Sequence, residues 1–192
     1  MTPSDPTSST RQRSREGAAL TIVGIDTGLQ RTGYAFIAEK TGGDELRLLE
    51  AGVIRLDPRA PLERRLAELA DNLEQLLEAH QPAALACEAL YSHYKHPRTA
   101  ILMGHARGVV LALAGRRAME VVNVPATQAK KIITGNGRAG KQQIQRAIAA
   151  TLRLGRLPEP HDVADALAVA LAGLRMRAAV EHVARDAAGV RS

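Results

Sequence analysis

Three β-forming runs stand first in the chain, and the links between them are too short for a crossover. Leu20-Thr-Ile-Val-Gly-Ile-Asp26, Thr32-Gly-Tyr-Ala-Phe-Ile-Ala38 and Leu46 to Leu56 are separated by the turn signals Thr27-Gly28 and Gly42-Gly43. Strands joined so closely pair antiparallel, so the chain must open with a meander. The pattern then changes period. Leu62, Leu66, Leu69, Leu73, Leu76 and Leu77 recur at spacings of three and four behind Pro61, which predicts an amphipathic helix with charges on its other face, stopped by Pro82. Ala83 to Glu88 reads as a buried strand, and a helix is expected from about Arg98 to Arg117. Gly104, Gly108 and Gly115 mark that helix for close packing, at a dimer interface or against the sheet. Met119 to Val124 reads as a fifth strand and Thr127 as the N-cap of a short helix ending near Thr134. Gly135-Asn136-Gly137 reads as a turn, Lys141 to Leu154 as a helix, and a last helix starts near Pro160 and runs to Ala179 or beyond. Three strands followed by alternating helices and strands is an α/β order with a mixed sheet.

The length of 192 residues suits one domain with short tails. Residues 1–18, mostly Ser, Thr, Pro and Arg, have almost nothing to bury and are expected to form a disordered tail. Residues 19–176 are the expected domain, and 177–192 a C-terminal helical extension or tail. A hydrophobic content of 45% excludes global disorder, and no apolar run reaches the roughly 20 residues a bilayer span needs. Aromatic residues make up only 2%, which argues against sugar or methyl-lysine sites built on aromatic platforms. The single cysteine, Cys87, excludes an intramolecular disulfide framework and reads as a small core residue. The basic, polar N-terminus lacks the apolar stretch of a secretory signal, so a soluble cytoplasmic protein with no membrane partner is expected.

In open α/β sheets, sites gather beyond the carboxyl ends of the strands. Asp26 ends the first strand and Glu88 the fourth, each after an apolar run. Either is a rim residue or a ligand. Asp162 and Asp165 lie three apart at the start of the last helix and share a face. Asp165 is the only charged residue from Val163 to Leu174, so that helix should be buried on most sides. A buried acid is costly unless it is paired, hydrogen-bonded or bound to metal. Asp162 has a second reading, as a helix N-cap or a partner of the helix dipole. Four carboxylates able to converge on one point suit Mg²⁺, which prefers oxygen ligands, with Mn²⁺ an acceptable substitute. Two such ions, roughly 4 Å apart, clamp the attacking and leaving oxygens of a phosphodiester displacement.

Charge supplies the other half. Between Ala89 and Pro158 stand twelve Lys and Arg residues and one acid, Glu120, a net of +11 within a chain of net +6. A solvated basic face is the plain explanation of a short charge run, but a block this long with almost no acid suits a polyanion, above all nucleic acid. Cations to hold a phosphate backbone beside carboxylates to hold metals is the layout a nuclease needs. Acids without metal would repel DNA, so metal dependence follows from the charges.

The motifs Gly24-Ile-Asp26-Thr-Gly28, Thr32-Gly33-Tyr34, Glu88, Gly104-His-Ala-Arg107-Gly108, Lys130-Lys-Ile-Ile-Thr-Gly135-Asn-Gly137-Arg-Ala-Gly-Lys141 and Asp162-Val-Ala-Asp165-Ala-Leu-Ala-Val-Ala stand in one register from Leu20 to Leu174. Together they resemble the RuvC family of bacterial Holliday-junction resolvases. The resemblance implies a ribonuclease H-like fold, here a mixed five-stranded sheet flanked by helices. It also implies a homodimer, symmetric Mg²⁺-dependent nicking of a four-way DNA junction in recombination and repair, and work alongside the RuvA–RuvB branch-migration complex. Carried over, Asp26, Glu88, Asp162 and Asp165 fall on the family's metal-binding carboxylates. Lys130 and Lys141 fall on basic positions that contact DNA, and Tyr91 on an aromatic that stacks on an unpaired base, although an ordinary half-buried tyrosine fits as well. Arg98, Arg107, Lys131 and Arg138 of the basic block join them as expected DNA contacts.

This chain departs from the family at Thr27, where proline is usual, at His96, near a usual asparagine, and in the composition of Ser92 to Pro97. His161, beside Asp162, is read as a helix-entry residue, with proton transfer or metal contact as the alternative. Two other functions compete: another ribonuclease H-like nuclease acting on RNA or RNA–DNA hybrids, and a catalytically silent junction-binding protein.

Overall fold

A computed structural model describes residues 20–40, 45–89 and 97–189. The expected strands form: β1 (Leu20–Asp26), β2 (Arg31–Glu39), β3 (Leu46–Arg55), β4 (Ala84–Glu88) and β5 (Glu120–Val124). Between and after them lie α1 (Leu62–His80), α2 (Pro97–Arg116), α3 (Ala126–Thr134), α4 (Lys141–Thr151) and α5 (His161–Gly189). The sheet order is β3-β2-β1-β4-β5, with β1, β2 and β3 antiparallel and β1, β4 and β5 parallel. The mixed five-stranded sheet and the opening meander are as the sequence leads one to expect.

Side chains alternate across the sheet and split the core in two. Ile22, Ala84 and Ala86 point toward α3, α4 and α5. Val23, Ile25, Leu85 and Cys87 point toward α1 and α2. The leucine stripe of α1 packs as its spacing predicts, with Leu69, Leu73 and Leu77 buried. Its charged face has one exception: Arg65 is buried and donates to the carbonyl oxygen of Leu29, bracing the loop that follows Asp26.

Helix α5 lies unusually close to the sheet. A Cβ at Gly24 would overlap the backbone of Ala166 and Ala170, one at Gly33 would overlap the carbonyl of Asp162, and one at Gly173 would overlap the Ala86 side chain. Small residues at these contacts let the helix axis descend onto β1, β2 and β4. The glycines that permit close approach are therefore not those of α2. Among the described residues, nothing lies within 4 Å of the place a Cβ would take at Gly104, Gly108 or Gly115, so packing against the sheet is excluded for them.

Two local expectations need correction. Helix α3 begins at Ala126, not after Thr127. Pro125 takes the N-cap position, with no side-chain cap, and its carbonyl accepts from the Ala129 amide. Helix α4 stops at Thr151 rather than near Leu154. Arg153 turns left-handed, with φ 51°, and the Leu154 amide reaches back to the Ala149 carbonyl at 2.8 Å, the closing bond of a Schellman cap.

Candidate active site

Strand parity decides where the acids point. Gly24 faces α5, so Asp26, two residues on, faces the same way at the end of β1. Ala86 packs on Gly173 of α5, so Glu88, two residues on, faces α5 from the end of β4. The parallel register pairs Ile25 with Cys87, which brings Asp26 and Glu88 side by side. Helix α5 completes the group. From Val163 to Leu174 every residue except Asp165 is buried. Asp165 is the one opening in that apolar surface, and it turns onto the strand ends.

Asp26, Glu88 and Asp165 line one cavity of about 230 Å³, together with Lys130 of α3 and an apolar floor that includes Val124, Ile133, Ile144 and Val169. The acids feel one another strongly. Burial, then the charges of Asp165, Glu88 and Asp162, push the Asp26 carboxyl up to about 7. Burial and Asp165 raise Glu88 against the opposing pull of Lys130 and Arg107. Burial also raises Asp165, opposed chiefly by Lys141 and His161. Carboxylates that resist ionisation beside one another make a site short of positive charge.

Asp162 sits apart. It lies in the first turn of α5, outside the cavity lining, and its Oδ2 pairs with Arg31 Nη2 at 2.5 Å. Its backbone still rests over Gly33, which is the register partner of Asp26, so its charge reaches that residue. An oxygen-only donor set with mutually repelling carboxylates fits hard divalent cations. Among the described residues no three His, Cys, Asp or Glu side chains stand close enough to hold one ion as they are.

The basic residues divide into two groups. Lys130 points into the cavity, and Lys141, the first residue of α4, offsets Asp165 from its edge. Lys131 and Arg138 are exposed on the surface beyond. Arg107 is occupied within the fold. It donates to the Glu88 carbonyl at 2.6 Å and to Cys87 Sγ at 2.9 Å, and it also reaches Asn123 Oδ1. Its guanidinium thus ties the ends of β4 and β5 together directly behind Glu88. Cys87 is wholly buried, as a core residue should be. His161 is the exposed first residue of α5, as its helix-entry reading requires. Tyr91 and His96 lie outside the described residues, as does the side chain of Arg98.

Sequence reasoning missed Arg31 and Arg65. Arg31 leaves a signal in hindsight: it stands two residues before Gly33 on one strand, so it shares the face that meets α5. Arg65 leaves none, because its partner lies 36 residues away in the chain.

A family profile described as crossover junction endodeoxyribonuclease RuvC matches residues 22–173. A relative of that name from Rhodopirellula baltica is 48% identical over 160 residues, which cover 83% of this chain and 89% of the relative. Another, from Thermomicrobium roseum, is 42% identical over 150 residues, covering 78% and 90%. The solved structure of Thermus thermophilus RuvC in complex with Holliday junction substrate matches with a TM-score of 0.75 at 29% identity, over 80% of this chain and 92% of that one. A profile match over most of the chain and relatives above 40% identity over most of their own length place it: the chain belongs to the RuvC family of crossover junction endodeoxyribonucleases.

Proposed function

We propose that this chain resolves Holliday junctions by paired, symmetric nicks in a reaction dependent on Mg²⁺, for which Mn²⁺ can substitute. The observation that carries this reading is the meeting of Asp26, Glu88 and Asp165 in one cavity beside Lys130, in a chain of this family. With Asp162, these residues would hold the divalent ions. Bound there, the ions supply Lewis-acid activation of water and neutralise charge on the phosphate under attack.

The chain's own residues supply the rest. Strands β1 and β4 hold Asp26 and Glu88 rigidly, since both follow buried runs. Lys130 and Lys141 lower the negative potential of the acids and leave a cationic approach for the sugar–phosphate backbone. Lys131 and Arg138, exposed beyond the cavity, extend that approach. The apolar floor of Val124, Ile133, Ile144 and Val169 lowers the local dielectric, which strengthens each charge interaction at the strand ends. Tyr91 and Arg98 belong to the same DNA-binding surface in this reading.

A junction has two equivalent strands to cut, which suits a C₂ dimer. Along α2, the exposed residues Ile101, Gly104, Gly108, Leu111 and Gly115 form an apolar stripe with small residues at its centre. We assign this stripe to the homodimer contact. The same reading puts the protein in the cytoplasm with the chromosome, working with RuvA–RuvB; no helix among the described residues is long and apolar enough to cross a membrane.

The test is a synthetic mobile four-way junction, an RNA–DNA hybrid and a linear duplex, each incubated with Mg²⁺. Symmetric nick pairs on the junction are expected. Preferential cutting of the hybrid would replace this reading with the other ribonuclease H-like one, and binding without any cleavage would leave a silent junction-binding protein.

A further inference from the structure

Arg31 opens β2, and its side chain leaves the sheet on the face that meets α5. Its Nη2 lies 2.5 Å from Asp162 Oδ2, and the two side chains retain 48% and 24% of their exposure. Asp162 is also the one acid of the four that does not line the cavity. Its backbone is seated over Gly33 and has no room to move inward. Only its side chain is free to turn, and Arg31 is its ion-pair partner in the structure.

We propose that Arg31 is a positioning residue that holds the Asp162 carboxylate beside the cavity and competes for it with any divalent cation that binds there. This rests on the reading of the four acids as metal ligands. In the metal-free protein, a fourth carboxylate in the cavity would add to the repulsion among Asp26, Glu88 and Asp165. The guanidinium draws that charge to one side and satisfies it. An entering cation then competes with Arg31 for the same carboxylate, and it also meets the repulsion of the guanidinium itself. Arg31 therefore weakens cation binding in the absence of substrate. A purely structural brace would act in the opposite direction, because losing it would loosen Asp162 and weaken the site.

The experiment is Mn²⁺ titration of the full chain without DNA, read by the loss of the free-ion electron paramagnetic resonance signal. The wild type is compared with Arg31→Gln, Arg31→Lys, Asp162→Asn and the double variant Arg31→Gln/Asp162→Asn. Arg31→Gln is expected to bind Mn²⁺ tighter by roughly 1.5-fold to fivefold, the range an exposed ion pair commands. Arg31→Lys should stay near the wild type because it keeps the charge. In the Asp162→Asn background, the same Arg31→Gln change should give a markedly smaller gain. Unchanged or weaker binding in Arg31→Gln overturns the proposal, as does an equal gain with and without Asp162. Asp26→Asn separates this from the parent reading: if it leaves Mn²⁺ binding untouched, the acids are not the metal site and both fall together. Thermal melting in EDTA confirms that each variant is folded, which the exposure of Arg31 leads one to expect.

Discussion

The seating of α5 on the sheet gives the most direct handle on how the fold places the acids. Consider Gly33→Ala. The added methyl would fall inside contact distance of the Asp162 carbonyl and against the Ala166 side chain. Neither a backbone carbonyl nor a buried alanine can swing aside, so the first turn of α5 must rise by roughly 1 Å to restore ordinary contact. Overpacking of this kind costs about 1–3 kcal/mol. For a chain of this size each kcal/mol lowers Tm by roughly 2–4 °C, so a fall of about 2–12 °C is expected. The displaced turn carries Asp162 and leads directly into Asp165, and a misplacement of about 1 Å at a reacting centre costs about 10²-fold in rate. Calorimetry gives the first quantity, and single-turnover nicking of a four-way junction gives the second. Gly104→Ala, in open space on α2, is the control and should not lower the monomer's stability. If Gly33→Ala melts and nicks like the wild type, α5 is not held on β2 as described and the placement of the acids has been misread.

Further expectations follow from the same geometry. The Asp26 carboxyl is raised from 3.8 in a model compound to about 7 in the fold, so the folded state holds its proton where the unfolded chain has lost it. The metal-free protein should therefore lose stability as pH rises from about 4 to 7, and Asp26→Asn should melt higher than the wild type at pH 8 in EDTA but not at pH 4. Arg107→Ala removes hydrogen bonds to Glu88, Cys87 and Asn123 and should cost about 1–3 kcal/mol in denaturant titration, with nicking reduced more than junction affinity. If the exposed stripe of α2 is the homodimer contact proposed above, Ile101→Glu at its first position should give monomers in sedimentation velocity where the wild type gives dimers, while an unshifted dimer would move the interface elsewhere.

What the sequence made legible was whatever depends on short range and on parity. Asp26 and Glu88 each end an apolar strand, and once β1 and β4 run parallel, alternation alone brings them to one face. Asp165 is legible for a related reason, as the single charge in an apolar helix. Its environment was less so, because a buried acid and an acid at the single opening of a buried helix leave the same pattern. Asp162 carries a second reading in sequence, as a helix N-cap or dipole partner, and what sets it apart in the structure is its ion pair with Arg31, 131 residues away, which sequence does not announce. Glycine carried no label for its use: those of α2 face open space, whereas Gly24 and Gly33 lie in strands and set the height of α5. The helix boundaries fall at Pro125 and Thr151 rather than at Thr127 and Leu154 because Pro125 and the left-handed Arg153 act through backbone geometry that residue type does not announce.

The central claim is that Asp26, Glu88, Asp162 and Asp165 form one ion-binding group that cuts DNA bound by the surrounding cations. Asp26→Asn tests it most directly, with junction binding and junction nicking measured side by side in Mg²⁺. Binding close to that of the wild type with nicking abolished is the predicted result. Nicking that persists at the wild-type rate would contradict it.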